Sequence, residues 1–203
     1  MGGLEGQEEV IRKIKKYKIS VRPFGVLRHL KKKHAVDPGK EPEDKVLESE
    51  ISKVQTHLQP CALYATFSQK ETPEPLKVLW RSASENSFSM SVILATIGKN
   101  IEGEMDKISK AGNPFQSALL DAITKESFEQ SFQFVARLIN EEALDESCEL
   151  TPLLPVEEGN FRDALGVLEA HKAEISVNDS GIVSPIFTGI RYCFWTPVKG
   201  KTK

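Results

Sequence analysis

Chemistry in this chain would have to come from its histidines, cysteines, isolated acids and glycine-bearing turns. His29, His34, His57 and His171 fall on different expected elements, no His-x-x-x-His occurs, and none has a second ligand at metal spacing. No metal site is therefore expected. Cys61, Cys148 and Cys193 are widely spaced without a Cys-x-x-Cys, and each sits in an apolar or strand-like context. That pattern suits reduced, buried thiols in a cytoplasm better than a disulfide framework or a zinc cluster. Gly-x-Ser-x-Gly, Walker A and Gly-x-Gly-x-x-Gly are all missing, so nothing supports hydrolysis or phosphoryl transfer and no catalytic residue is assigned. Asp121, in "LLDAITKESFEQ", reads either as a ligand contact or as a solvated helix residue.

Two glycine-bearing stretches are more informative. "SVILATIG", Ser91 to Gly98, is an apolar strand ending on a glycine, followed by the polar helical run "KNIEGEMDKISKAGN". A strand, a turn and a helix can cradle an anion, but with one glycine and no Lys-Ser/Thr after it the stretch fails as a phosphate loop. It reads better as the central strand of an antiparallel sheet. "ISVNDSGIVSPIFTGI" is two strand-like runs around the turn Asn178-Asp179-Ser180-Gly181, continuing through Ser184-Pro185 into Thr188-Gly189-Ile190. Small hydroxyl and glycine residues let a ligand approach the backbone; the alternative is simply a tight turn and a strand kink.

The elements that must hold these residues follow from periodicity. Val10, Ile11 and Ile14 suggest a short helix over Gln7 to Tyr17, "KISVRPF" alternates like a strand, and "GVLRHLKKKH" suggests a second short helix. Turn-rich "DPGKEPED" closes this arm. Val46, Leu47, Ile51, Val54 and Leu58 predict an amphipathic helix over Lys45 to Leu58. "CALYATFS", "KVLWRSAS" and "SFSMSVILATIG" read as three sequential strands. Two helices separated by "AGNP" follow, the second and longest marked by Phe115, Leu119, Ile123, Phe128, Phe132, Val135, Leu138 and Ile139. Then come strand-like "CELTPLLPV", helical "FRDALGVLEAHK" and paired strands to the frayed tail "KGKTK". Helices grouped beside a strand meander indicate an α+β fold with a central antiparallel sheet and flanking helices. The expected organisation is a basic arm, residues 1–44, packed on a core of residues 45–203, as one domain.

Bulk composition agrees with a soluble domain: 203 residues, 39% hydrophobic and 28% charged, with net charge −2. The N-terminal "MGGLEGQEE" has no apolar core, no myristoylation pattern fits, and no apolar run approaches a membrane span. Charge is unevenly spread. Ten Lys or Arg and no acid lie between Val10 and Lys33, and seven acids with no base between Glu141 and Glu158. Such stretches pair internally or face a partner. No nucleic-acid signature accompanies the lysines, which favours an acidic protein over nucleic acid.

Taken together, "GVLRHLKKK", "EISKVQTHLQPCALYATFS", "SVILATIGKNIEGEMDKISKAGNPFQSALLDAI" and "ISVNDSGIVSPIFTGI" resemble, in order, the landmarks of a known family. It is the activation (S-adenosylmethionine-binding) domain of cobalamin-dependent methionine synthase and its stand-alone relatives, and the match covers roughly residues 19 to 195. The resemblance implies a C-shaped α+β domain that binds S-adenosylmethionine in a groove and serves the remethylation of a corrinoid carried by a partner. Its chemistry would belong to the cofactors, and the domain would contribute proximity and orientation. Carried onto this chain, the ligand stretch becomes Glu157, Glu158, Gly159, Asn160 and Phe161, with Ser184, Thr188 and Gly189 across the groove. The family's Arg and Tyr positions hold Leu153 and Glu158 here, so Glu157 and Glu158 would face the sulfonium or amino group in a rewired site. The alternative is a binding or scaffold protein that keeps the fold without the ligand. The implied partners are a corrinoid protein or a methionine synthase core. A flavodoxin-like acidic electron donor would dock on Lys13, Lys15, Lys16, Lys31, Lys32 and Lys33.

Overall fold

The computed structural model describes residues 11–34 and 42–198. The residues before Ile11, most of "DPGKEPED" and the tail "KGKTK" lie outside the described residues, as do the side chains of Lys33 and His34. Eight strands and five α-helices follow in order: β1 (Arg12–Lys15), α1 (Pro23–His34), α2 (Asp44–Gln55), β2 (Cys61–Ser68), β3 (Ser89–Thr96), α3 (Asn100–Lys110), α4 (Pro114–Asp145), β4 (Cys148–Leu150), β5 (Leu154–Pro155), α5 (Glu158–Val167), β6 (Ser176–Val177), β7 (Val183–Ser184) and β8 (Thr188–Pro197). Two 3-10 helices, Glu74–Ser82 and Ala170–Ala173, complete the described chain.

A six-stranded antiparallel sheet runs β1-β2-β3-β8-β4, with β5 also pairing with β8; β6 and β7 form a separate hairpin. The α+β expectation holds, and "SVILAT" is the central strand. Its residues from Met90 to Thr96 are all buried because both faces of the sheet are covered. On one face Tyr64, Ile93, Ala95 and Trp195 pack under α1, α2 and α4. On the other Leu63, Phe67, Val92, Leu94, Ile190 and Phe194 pack under α5 and the 3-10 helices. A chain buried on two sides cannot alternate, hence the unbroken apolar run.

Local chemistry starts the long helix. Asn113 Oδ1 accepts from the Gln116 N–H at 3.1 Å, and Pro114 occupies the first turn, where its missing donor costs nothing. Most of the apolar series named above faces the sheet, although Phe115 at the first turn is exposed. Asp121, whose side chain is only 16% exposed, pairs with Lys125 at 2.9 Å one turn away within its own helix.

Three expectations for the elements fail. Arg12–Lys15 is an edge strand, not part of a helix; a helix so short is marginal alone, whereas β2 offers a full ladder from Arg12↔Tyr64 to Lys15↔Cys61. Its lysines also suit an edge strand, where charge discourages further pairing. "KISVRPF" keeps its inside–outside alternation, with Ile19 and Val21 buried like Tyr17 just before it, yet pairs with no described strand. Lys16 takes a left-handed φ of 56° and turns the chain away from the sheet edge. "KVLWRSAS" belongs to a 3-10 helix: Pro73 and Pro75 open it, Leu76 and Leu79 bury one side at a spacing of three, and Trp80 Nε1 donates to Thr72 Oγ1 at 2.9 Å. β2 and β3 are consequently direct neighbours. The basic arm contributes β1 to the sheet and Val26 and Leu30 of α1 to the core.

Candidate functional site

β5 pairs with β8 through Leu154↔Tyr192 and Pro155↔Arg191, and the Val156 N–H then donates to the Ile190 carbonyl at 3.1 Å. Glu157 follows off the sheet with φ −66° and ψ 152°, and α5 begins at Glu158. The stretch Glu157–Phe161 and the pair Thr188–Gly189 therefore start one residue away from a shared hydrogen bond. Glu157, Glu158 and Gly159 are exposed, Asn160 is half-buried, and Phe161 packs partly against the core under α5. Thr188 pairs with Thr96 and Gly189 with Ala95. The Thr188 Oγ1 is buried and has no hydrogen-bond partner among the described residues.

Gly189 has a packing duty. A Cβ there would sit 2.9 Å from Phe128 Cζ and 3.4 Å from Phe132 Cζ, so its bareness is what lets α4 rest its rings on the sheet. Phe128 and Phe132 meet edge to face with centroids 5.2 Å apart.

Beside these rings lies a polar cluster that the sequence reading missed. Arg191 grips Glu129 through two hydrogen bonds, Nη1 to Oε2 at 2.8 Å and Nη2 to Oε1, and its guanidinium lies 4.4 Å from the Phe132 ring centroid. Those bonds hold the Glu129 carboxyl below the usual range against an opposing effect of burial, with His29 and Arg28 adding to the pull. One turn earlier Glu126 is buried; Gln130 Nε2 donates to its Oε1 at 2.8 Å. Its Oε2 lies 3.5 Å from His29 Nε2 and 3.7 Å from Arg28 Nη2, too far for a hydrogen bond to either. The legible signal was Glu126, Glu129 and Gln130 at helical spacing on the face that also carries Ile123 and Phe132.

A cavity of about 560 Å³ opens at the end of the sheet, where β1 leaves, β2 begins and β3 ends. Lys15, Lys16 and Tyr17 line one side, Gln59 and Cys61 the next, and Thr96, Gly98 and Lys99 a third. Glu174 and Ser184 complete the rim. Of the eight residues assigned to the ligand groove, the cavity takes Ser184 alone, so the structure divides them between two places. Burial pushes the Tyr17 hydroxyl up to about 12 and raises the Cys61 thiol, the latter opposed by Lys13 and Lys15.

The basic arm is partly paired. Lys13 Nζ donates to the Lys172 carbonyl, Lys15 lies 3.5 Å from Glu174, and Arg12 bonds Glu142 and Tyr64. Lys32 on α1 is exposed. Among the described residues no group of three or more His, Cys, Asp and Glu side chains is placed to hold a metal ion. All three cysteines are buried and unpaired. No described helix is long and apolar enough to cross a membrane.

No protein-family model matches the sequence, and no curated protein matches it. Among solved structures, the crystal structure of the MetH reactivation domain bound to AdoHcy superposes with a TM-score of 0.61 at 11% identity, covering 96% of this chain and 81% of that one. The likeness establishes a shared fold over nearly the whole chain.

Proposed function

We propose that this chain is a non-catalytic accessory module for reductive reactivation of a cobalamin-dependent methyltransferase of the methionine synthase type, binding S-adenosylmethionine and docking on a corrinoid-carrying partner in the cytoplasm. The observation that carries this reading is the fold likeness, over 96% of the chain, to a reactivation domain seen with AdoHcy. Two features at the sheet edge fit such a ligand. Glu157 and Glu158 are exposed carboxylates beside β8, suited to a sulfonium or ammonium cation, and Thr188 Oγ1 is a buried hydroxyl without a partner.

When bound, S-adenosylmethionine supplies the transferable methyl group. The chain's own part is to hold and orient: Glu157 and Glu158 balance the ligand's positive charge, and Gly159 and Asn160 leave the first turn of α5 open to it. Such positioning converts an encounter between two bound cofactors into an effectively intramolecular one. The lysines of β1 and α1 and Lys16 between them, namely Lys13, Lys15, Lys16, Lys31 and Lys32, face an acidic flavodoxin-like donor in this reading; binding that is unchanged between low and high salt would argue against that contact.

A second reading, a scaffold that keeps the fold and has lost the ligand, is favoured by Phe128, whose ring fills the space in front of Gly189, and by Leu153 and Glu158 at the family's Arg and Tyr positions. Calorimetry separates the two. Heat of binding for S-adenosylmethionine at about 1 mM, abolished by the double substitution Glu157→Ala/Glu158→Ala, supports the first reading. A folded protein that gives no heat, alone or with a cobalamin-loaded partner, leaves only the scaffold.

A further inference from the structure

The geometry points to a second ligand site, which shares Lys15 and Lys16 with the donor-facing lysines named above but none of Glu157–Phe161: the sheet-end cavity takes a small organic dianion, a phosphomonoester or a dicarboxylate of about mononucleotide size. Its volume of about 560 Å³ falls within the range of small-molecule pockets. Three lysines, Lys15, Lys16 and Lys99, and one acid, Glu174, stand on its wall, so the lining carries a surplus of two positive charges in a chain whose net charge is −2. A concave wall of one sign raises the local concentration of the opposite ion.

The cavity is also built to keep its shape. Lys16 and Glu174 both hold left-handed backbone, φ 56° and φ 60°, which side-chain-bearing residues seldom adopt; they are two of only four such residues in the described chain. The Lys16 N–H is pinned to the Pro60 carbonyl at 3.0 Å. On the facing wall the Gln59 N–H donates to the Ile97 carbonyl at 2.8 Å, and Gly98, at φ 86°, approaches so closely that a Cβ would lie 2.7 Å from Gln59 Cβ. Tyr17 is held in the wall it shares with Lys16: its ring stacks on Phe134 with centroids 4.5 Å apart, and its hydroxyl bonds Ser131. Apolar Leu58, Pro60 and the Tyr17 ring beside Lys15, Lys16 and Lys99 fit a ligand with a carbon body and an anionic end. Thr96 and Gly98 border this anion site, whose charge comes from Lys15, Lys16 and Lys99 in place of a phosphate loop.

Glu174 supplies the discriminating test, because it competes for Lys15 at 3.5 Å while its own side chain is 86% exposed. The full chain is titrated with AMP, inorganic phosphate, succinate and neutral adenosine, read by calorimetry and by the amide resonances of Gly98 and Lys99. AMP is expected to bind and to shift those amides, with adenosine about ten-fold weaker or worse; Lys16→Gln lowers AMP affinity about ten-fold. Glu174→Gln, which frees Lys15, raises it a few-fold with the melting temperature unchanged. AMP bound in preference to succinate identifies a phosphate ester, and equal binding identifies dianions in general; both support the site. The proposal is overturned if adenosine binds as well as AMP, if AMP binding ignores Lys16→Gln, if Glu174→Gln weakens it, or if no anion moves Gly98 and Lys99 at about 10 mM.

Discussion

Replacing Gly25 by alanine ought to stabilise this protein by one rule and destabilise it by another, and the structure decides which wins. Gly25 is the third residue of α1, where alanine is better than glycine by at most about 1 kcal/mol. A Cβ on Gly25, however, would sit 2.1, 2.2 and 2.3 Å from the carboxyl carbon and two oxygens of Glu126. The carboxylate must withdraw by more than about 1 Å to reach ordinary contact distance. Its side chain is 2% exposed, so it has no solvent to retreat into, and moving breaks the 2.8 Å bond from Gln130. Stranding a buried carboxylate costs about 3–5 kcal/mol. Subtracting the helix gain leaves a net loss of about 2–4 kcal/mol. Urea unfolding reads this as a midpoint lowered by about 1–2 M at unchanged slope. In a Glu126→Ala background the obstruction is gone, and the same Gly25→Ala change becomes neutral or stabilising, a coupling of at least about 2 kcal/mol. A stable Gly25→Ala single variant, or one whose loss persists without Glu126, refutes the reasoning.

Other perturbations follow from named contacts. The Tyr17 hydroxyl, raised from 10.0 to about 12 by burial, contributes stability that is fully present below pH ~10 and lost as pH rises through about 12; Tyr17→Phe flattens that alkaline loss in thermal melts and removes one late step from the phenolate absorbance, leaving the raised Tyr64 in place. Glu129 is held low by Arg191, so its contribution is present above the ordinary carboxylate pKa of ~4.3 and lost as pH falls through the depressed value. With Glu129 still 34% exposed, solvent screening limits Glu129→Gln to about 1 kcal/mol near neutrality, seen as a shallower acid limb of the stability profile. Gly98→Ala combines a left-handed φ of 86° with contact at 2.9 Å to the Gln59 carbonyl oxygen, and is expected to cost about 2–4 kcal/mol in the same urea assay.

How much of this was legible depends on how local the cause is. α2, β2, β3 and α4 are written in short-range terms, namely apolar periodicity, Pro60 after α2, and the Asn113-Pro114 start of α4. β1 was not, because only the edge of β2, almost fifty residues on, makes Arg12–Lys15 a strand. Tyr17, Ile19 and Val21 show the converse: their alternation is real burial, but the Lys16 turn removes them from the ladder. "KVLWRSAS" misled because Val78, Leu79 and Trp80 look strand-like, while Leu76 and Leu79 obey a spacing of three. At the site, Gly189 reads from sequence as a place where a ligand nears the backbone; the atoms packed against it are those of Phe128 and Phe132. Arg191 and Glu129, sixty-two residues apart, have no sequence signature as a pair. Lys16 and Lys99 likewise meet only once β1 and β3 end at the same side of the sheet.

The most direct test of the central claim is a crystal structure of the full chain grown with AdoHcy. Ligand density is expected at the sheet edge, against Glu157–Phe161 and within hydrogen-bond reach of Thr188 Oγ1, with the sheet-end cavity left to anions. Density nowhere at that edge in a well-ordered crystal, with Phe128 still seated on Gly189, contradicts it.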